Sequence, residues 1–192
     1  MKDITFFKTL ISVILVCGIV FGSLYIFTAQ KNKKLSEYYY FHAKDSYARG
    51  STTSAVSEVN EAIRLHKDAR YYFFKYQIYS RLEKINLAFY NLEQAIKYDK
   101  NNAEYYFLLG IFNCNYGSRS KALECYKKAV ELAPNNTEYK ATYATYLSFT
   151  TDIDTAIKLF EEVLAVDPTY DFAWNNLAYC YYAKGDNKTR FK

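Results

Sequence analysis

Two hydrophobic patterns divide the chain. The first is unbroken. From Thr9 to Ala29 no residue carries a charge, and twelve of the 21 positions are Leu, Ile, Val or Phe. At 1.5 Å per residue such a helix is about 31 Å long, close to the thickness of a bilayer's hydrocarbon core. The second pattern begins near Ser36 and is periodic. Tyr106, Leu109 and Gly110, and then Ala122, Tyr126 and Ala129, recur at steps of three and four, which puts each set on one face of a helix. The periodic part also repeats as a block. Ala88, Ala122 and Ala156 are 34 apart, and Ala55 lies 33 before Ala88. Seven residues after each stands Ala62, Ala95, Ala129 or Val163, and Pro134 and Pro168 are again 34 apart. Gly50, Gly117 and Gly185 interrupt the helical runs, and Pro134 ends one because proline cannot continue the hydrogen-bond ladder. Each block therefore predicts two antiparallel helices joined by a tight turn, with alanines allowing close packing.

At these residues the chain resembles the tetratricopeptide repeat family, whose pattern is Trp-x2-Leu-Gly-x2-Tyr, then Ala-x3-Phe, then Pro. The segment 103–136 fits best, with Tyr106 in the Trp slot followed by Leu109, Gly110, Ala122, Tyr126 and Pro134; Asn113 departs from the Tyr slot. The segment 137–170 keeps Ala144, Ala156, Phe160 and Pro168, and 69–102 keeps Tyr72, Tyr79, Ala88 and Ala95 with Tyr76 in the Gly slot. The segment 36–68 is one residue short and degenerate, with Ala55 as its marker. Residues 171–192, with Trp174, Leu177, Ala178 and Tyr181, read as a partial repeat or a capping helix that closes the array with polar positions outward. The resemblance implies an all-α, right-handed α-solenoid. It also implies a groove for a protein or peptide partner on the first helices of the pairs. Carried over residue by residue, that groove takes in Tyr40, Phe73, Phe74, Gln77, Phe107, Leu108, Ile111, Asn175 and Tyr179. The competing expectation is that some of these aromatics pack between helices.

The apolar run adds a membrane segment to this scheme: a short tail at 1–8, a transmembrane helix at 9–29 and a basic juxtamembrane linker at 30–35. An uncleaved anchor is favoured over a signal peptide, because Phe27 stands where a cut after Ala29 needs a small residue. It is also favoured over lipidation of Cys17, which Val16 precedes. Lacking Gly or Pro between Ser23 and Gly50, the span is expected to run almost continuously into the first repeat helix. Lys31, Lys33, Lys34, Lys44 and Arg49 against Lys2 and Lys8 lean the domain toward the cytosol rather than a periplasmic or lumenal side. Gly18 and Gly22 form a Gly-x-x-x-Gly pair. It reads either as the ordinary glycine content of membrane helices or as a homodimer contact.

Charge then narrows the partner class. The total is +5, and residues 1–34 carry +4 of it, five lysines against Asp3. The periodic part is near neutral and lacks the footprint expected for nucleic acid. Hydrophobic residues at 51% exclude a fully disordered chain, and 6 Gly with 2 Pro argue against a turn-rich β-sandwich. Tyr (22) and Phe (14) are abundant, through function or coding bias. Chemistry is sparse. Cys17, Cys114, Cys125 and Cys180 lack metal spacing, His42 and His66 have no acid or nucleophile near them in sequence, and no phosphate loop or nucleophile elbow occurs. Asn135 and Asn187 lie in sequons that matter only on a glycosylating side. No cofactor or metal is expected. The expected function is a non-enzymatic, single-pass scaffold that recruits a protein partner at a membrane. The alternative is a non-catalytic subunit or N-terminal fragment of a membrane-associated enzyme complex such as a repeat-linked transferase.

Overall fold

The structure is a computed structural model that describes residues 2–150 and 152–185, with side chains from Ile14 onward. The described residues form nine α-helices and no strand. They fall into two compact units, Met1–Glu83 and Lys84–Lys192.

The first unit holds α1 (Lys2–Ala48), α2 (Thr52–Leu65) and α3 (Ala69–Arg81). Tail, span and linker are one unbroken helix of 47 residues with the first helix of the first repeat, so the linker expected at 30–35 is not a separate segment. No helix breaker interrupts it until Gly50, whose positive φ of 82° reverses the chain. The side chains of Lys2, Asp3, Lys8 and Thr9 and the sequon at Asn187 lie outside the described residues. The core of this unit is small residues set against rings: Ala43, Ala55, Val59 and Ala62 with Tyr71, Phe74 and Ile78. Asp68 caps α3 by accepting from the Arg70 amide at 2.9 Å. The Arg70 guanidinium binds Asp68 at 2.7 Å and also Glu37 on α1. Burial tends to raise the Asp68 carboxyl, but the bonds from Arg70 outweigh it and hold it below the usual aspartate value. A depressed acid stabilises the fold above its unfolded value, near pH 4, and ceases to do so as pH falls through the folded value. Arg70→Met should therefore destabilise by about 0.5–1 kcal/mol near neutrality, these groups being partly exposed. In thermal melts across pH, the gap between variant and wild type should close as pH falls below about 4.

The second unit holds α4 (Ile85–Tyr98), α5 (Ala103–Tyr116), α6 (Arg119–Leu132), α7 (Thr137–Ser148), α8 (Ile153–Val166) and α9 (Asp171–Ala183). Asn102 and Asn136 cap α5 and α7, accepting from the amides of Glu104 and Tyr139 at 3.0 Å each. Pro134 and Pro168 stand two residues beyond the ends of α6 and α8. Ala88, Ala122 and Ala156 are all buried on second helices, as Ala55 is in the first unit. The main core gathers Ala141, Ala144 and Leu147 of α7, Ala156, Phe160 and Val163 of α8, and Ala173, Leu177 and Cys180 of α9. Gly110 on α5 faces the Tyr126 ring on α6, which occupies the space that a Cβ at position 110 would need.

Candidate functional site

The residues expected to line a groove meet different fates. In the first unit, Tyr40 lies 4.8 Å from the Tyr71 ring and edge-on to Phe74 at 5.8 Å. Phe74 is only 6% exposed and belongs to the core. Phe73 stacks on Tyr76 at 5.6 Å, and Gln77 is exposed. In the second unit, Phe107 stacks between helices on Tyr139 at 4.4 Å, and Leu108 is half-buried. Ile111, Asn175 and Tyr179 are exposed. Phe74 is thus corrected from groove to core. The physical reason is that a ring beside alanines fills the space their small side chains leave.

A site that sequence reasoning missed lies between α8 and α9. Leu164, Ala165, Trp174, Leu177, Ala178 and Tyr181, with Glu161 at the rim, enclose an open, mainly apolar cleft of about 460 Å³. Trp174 occupies the aromatic slot of the repeat pattern, yet it is 52% exposed, and its indole N–H donates to the Pro168 carbonyl at 2.9 Å. The Tyr181 hydroxyl donates to Glu161 at 2.8 Å, which fixes the cleft wall. The repeat explains why this surface is open. On α7 the residues 34 positions earlier, Tyr143, Ala144 and Leu147, pack in the core with Ala156, Ile157 and Phe160 of α8. Among the described residues no helix stands in that relation to α9. α9 covers α8 with Ala173, Leu177 and Cys180, and its outer side carries exposed Phe172, Trp174, Tyr179 and Tyr182 beside the polar residues. The signal was present in sequence: Trp174, Leu177, Ala178 and Tyr181 fill the slots that elsewhere face a following helix.

Titratable chemistry is muted. Burial raises the thiols of Cys125 and Cys180 and the hydroxyl of Tyr126, away from reactive forms. The four cysteines are free thiols. No group of three or more metal-ligating side chains occurs among the described residues. The exposed carboxylates of Asp154 and Glu162 pair with Lys184 and Lys140 rather than with each other.

The tetratricopeptide repeat family model matches residues 103–136, the α5–α6 hairpin, and a second model of the same description matches 159–190, which frames the repeat as α8 followed by α9. The solved structure of YrrB, described as a TPR protein with an unusual peptide-binding site, superposes with a TM-score of 0.68 at 23% identity, covering 80% of this chain and 79% of that one. The chain is a tetratricopeptide-repeat (TPR) protein. Its curated relatives include the mouse BBSome complex member BBS4, 27% identical over 177 residues, 74% of this chain and 34% of that protein. The TPR repeat-containing protein MJ1428 of Methanocaldococcus jannaschii is 31% identical over 122 residues, 62% of this chain and 21% of that protein. This TPR chain thus spans about a third or less of the length of these relatives. TPR arrays are in general non-catalytic scaffolds for protein–protein interaction.

Proposed function

We propose that this TPR protein is a non-catalytic scaffold, anchored in a membrane by α1, that holds a protein segment against the α8–α9 cleft. The anchoring rests on one observation. The described apolar stretch of α1 is largely uncovered: Ile19, Phe21 and Phe27 are 71%, 69% and 65% exposed. An uncovered apolar surface of that length is unstable in water and favourable in lipid, at about 0.3–0.6 kcal/mol for each large aliphatic or Phe at the helix centre. A buried core helix would be covered by the rest of the fold, and this segment is not. Gly18 and Gly22 lie on the same uncovered stretch with open space beside them, which suits either lipid or a second copy. The partner reading rests on the cleft's apolar walls and on an adjacent exposed aromatic face, surfaces of the kind that accept an amphipathic segment.

One experiment tests both halves. Native membranes are crosslinked, washed with alkaline carbonate and solubilised. The full chain should stay in the washed membrane and carry a discrete crosslinked partner. Ala178→Arg should remove that partner while leaving membrane retention and the melting curve unchanged. Release by carbonate would refute the anchor, and an undiminished crosslink in Ala178→Arg would refute the cleft.

A further inference from the structure

The continuity of α1 has a geometric consequence at the membrane surface. α2 returns antiparallel along α1 for 14 residues, about 21 Å. Counted back from Ala48, that distance brings the α2–α3 turn to the height of Lys34, within about a turn and a half of the end of the apolar run at Ala29. The side chains agree. His66 in that turn lines a single notch of about 250 Å³ with Tyr25, Ile26, Ala29, Gln30 and Lys33 of α1. A turn more than thirty residues away in sequence is therefore held just above the last apolar turn of the anchor, with the His66 side chain reaching down to it.

The charges at this level are unbalanced. Glu37 and Asp68 are both taken by Arg70, and Glu61 is taken by Arg64. Lys31, Lys33, Lys34 and Lys67 are exposed and form no salt bridge among the described residues. Lys33 lines the notch itself, Lys34 shares the adjoining surface with Lys33, Gln30 and Glu37, and Lys67 follows His66 in the turn, whereas Lys31 lies on the Phe27 side of α1. With Glu37 and Asp68 set against Arg70, the ammonium groups of Lys33, Lys34 and Lys67 leave the notch with an excess of positive charge. Tyr25, 75% exposed and just inside the apolar stretch, supplies the amphipathic ring favoured at lipid headgroup depth.

Resting on the membrane-anchored reading, we propose that this notch binds the phosphate-bearing headgroup of an anionic phospholipid, with Lys33 and Lys34 of α1 and Lys67 of the α2–α3 turn as its cationic ligands. The amide of Gln30 and the ring of His66 provide polar walls for the headgroup, and Ile26 and Ala29 meet the upper acyl chain. Because Lys67 belongs to the repeat domain, the bound lipid would fasten the first hairpin to the bilayer surface as well as the anchor.

The test uses the full chain in detergent with equal amounts of phosphatidylcholine and phosphatidylglycerol, and counts the lipids retained by native mass spectrometry. Phosphatidylglycerol should be retained about tenfold over phosphatidylcholine. Lys67→Gln should cut that preference about threefold or more, and Lys33→Gln with Lys34→Gln should abolish it. Lys127→Gln, on the exposed face of α6, should leave it intact. Equal retention of the two lipids would overturn the site. So would a Lys67→Gln variant indistinguishable from wild type, because the preference would then come from the anchor's flank alone. Displacement of the lipid by soluble glycerol phosphate would assign the notch to a free phosphate ester and overturn the lipid reading. A protein that resists carbonate extraction but shows no lipid preference loses only the headgroup site, whereas one released by carbonate loses the anchor and the site together.

Discussion

A chain ending at Tyr170 should fail to fold cooperatively in its second unit. α9 contributes Ala173, Leu177 and Cys180 to the core at 0%, 6% and 0% exposure, against Ala156, Phe160 and Val163 of α8 and Ala141 and Ala144 of α7. Leu177 alone is worth about 1.5–3 kcal/mol of burial, and the partners it leaves uncovered add a comparable loss. A deficit on the order of 5 kcal/mol equals the whole stability of many small domains. The polar clamps between the helices, Tyr181 to Glu161 and Lys184 to Asp154, would be lost at the same time. Repeat proteins draw stability from each neighbouring interface, so removing a terminal helix also weakens the hairpin beneath it. Thermal unfolding followed by circular dichroism should change from a sharp transition to a broad slope, with aggregation. A truncated protein that stays soluble and melts cooperatively at the wild-type temperature would show that α9 is dispensable.

The second large effect comes from one methyl group. A Cβ at position 110 would sit 2.5 Å from Cε1 and 2.7 Å from Cδ1 of Tyr126. On an exposed helix Gly→Ala would stabilise by about 1 kcal/mol. Here the ring is 2% exposed and is bounded by Tyr146 at 4.7 Å and Phe107 at 5.7 Å, so it has little room to retreat. Overpacking of this kind costs about 1–3 kcal/mol and can exceed that when the neighbour is pinned. Gly110→Ala should destabilise by about 2 kcal/mol net, read as a lowered midpoint in denaturant titration. In a Tyr126→Leu background the same substitution should cost much less, because the atoms that clash are gone. Gly110→Ala at or above wild-type stability would mean that the ring is free to shift.

Gly110 shows how far the residues could be read before the fold. Its slot in the repeat pattern marks a close helix approach, and that approach is present. The same slot holds Ala43 and Ala144, both fully buried, so a Cβ is accommodated where the facing residue differs. The pattern therefore identifies the contact but not its tolerance, which depends on the ring opposite. The aromatic residues show the same division. Nothing in the spacing distinguishes Phe74, which fills the core, from Leu108 34 positions later, which stays half-buried. An aromatic ring on a first helix turns toward whichever neighbour leaves space. Glu83 is a further case: its positive φ of 56° closes the turn after α3 without a glycine to announce it.

What the linear order of residues determined by itself is substantial. The uncharged run, the 34-residue recurrence of alanines, the capping Asn and Asp residues and the prolines after second helices are local signals, each acting within a few turns of its own helix. They suffice for nine helices in the described part, for their pairing into hairpins and for the continuity of α1. Only the tertiary structure decided which surfaces remain open. The α8–α9 cleft exists because no described helix covers α9 as α8 covers α7, and the basic notch exists because α2 is long enough to return the chain to the height of Lys34. Both are differences between distant segments brought to one level, and such a difference has no local signature: it depends on the lengths and packing of whole helices rather than on the residues that finally meet.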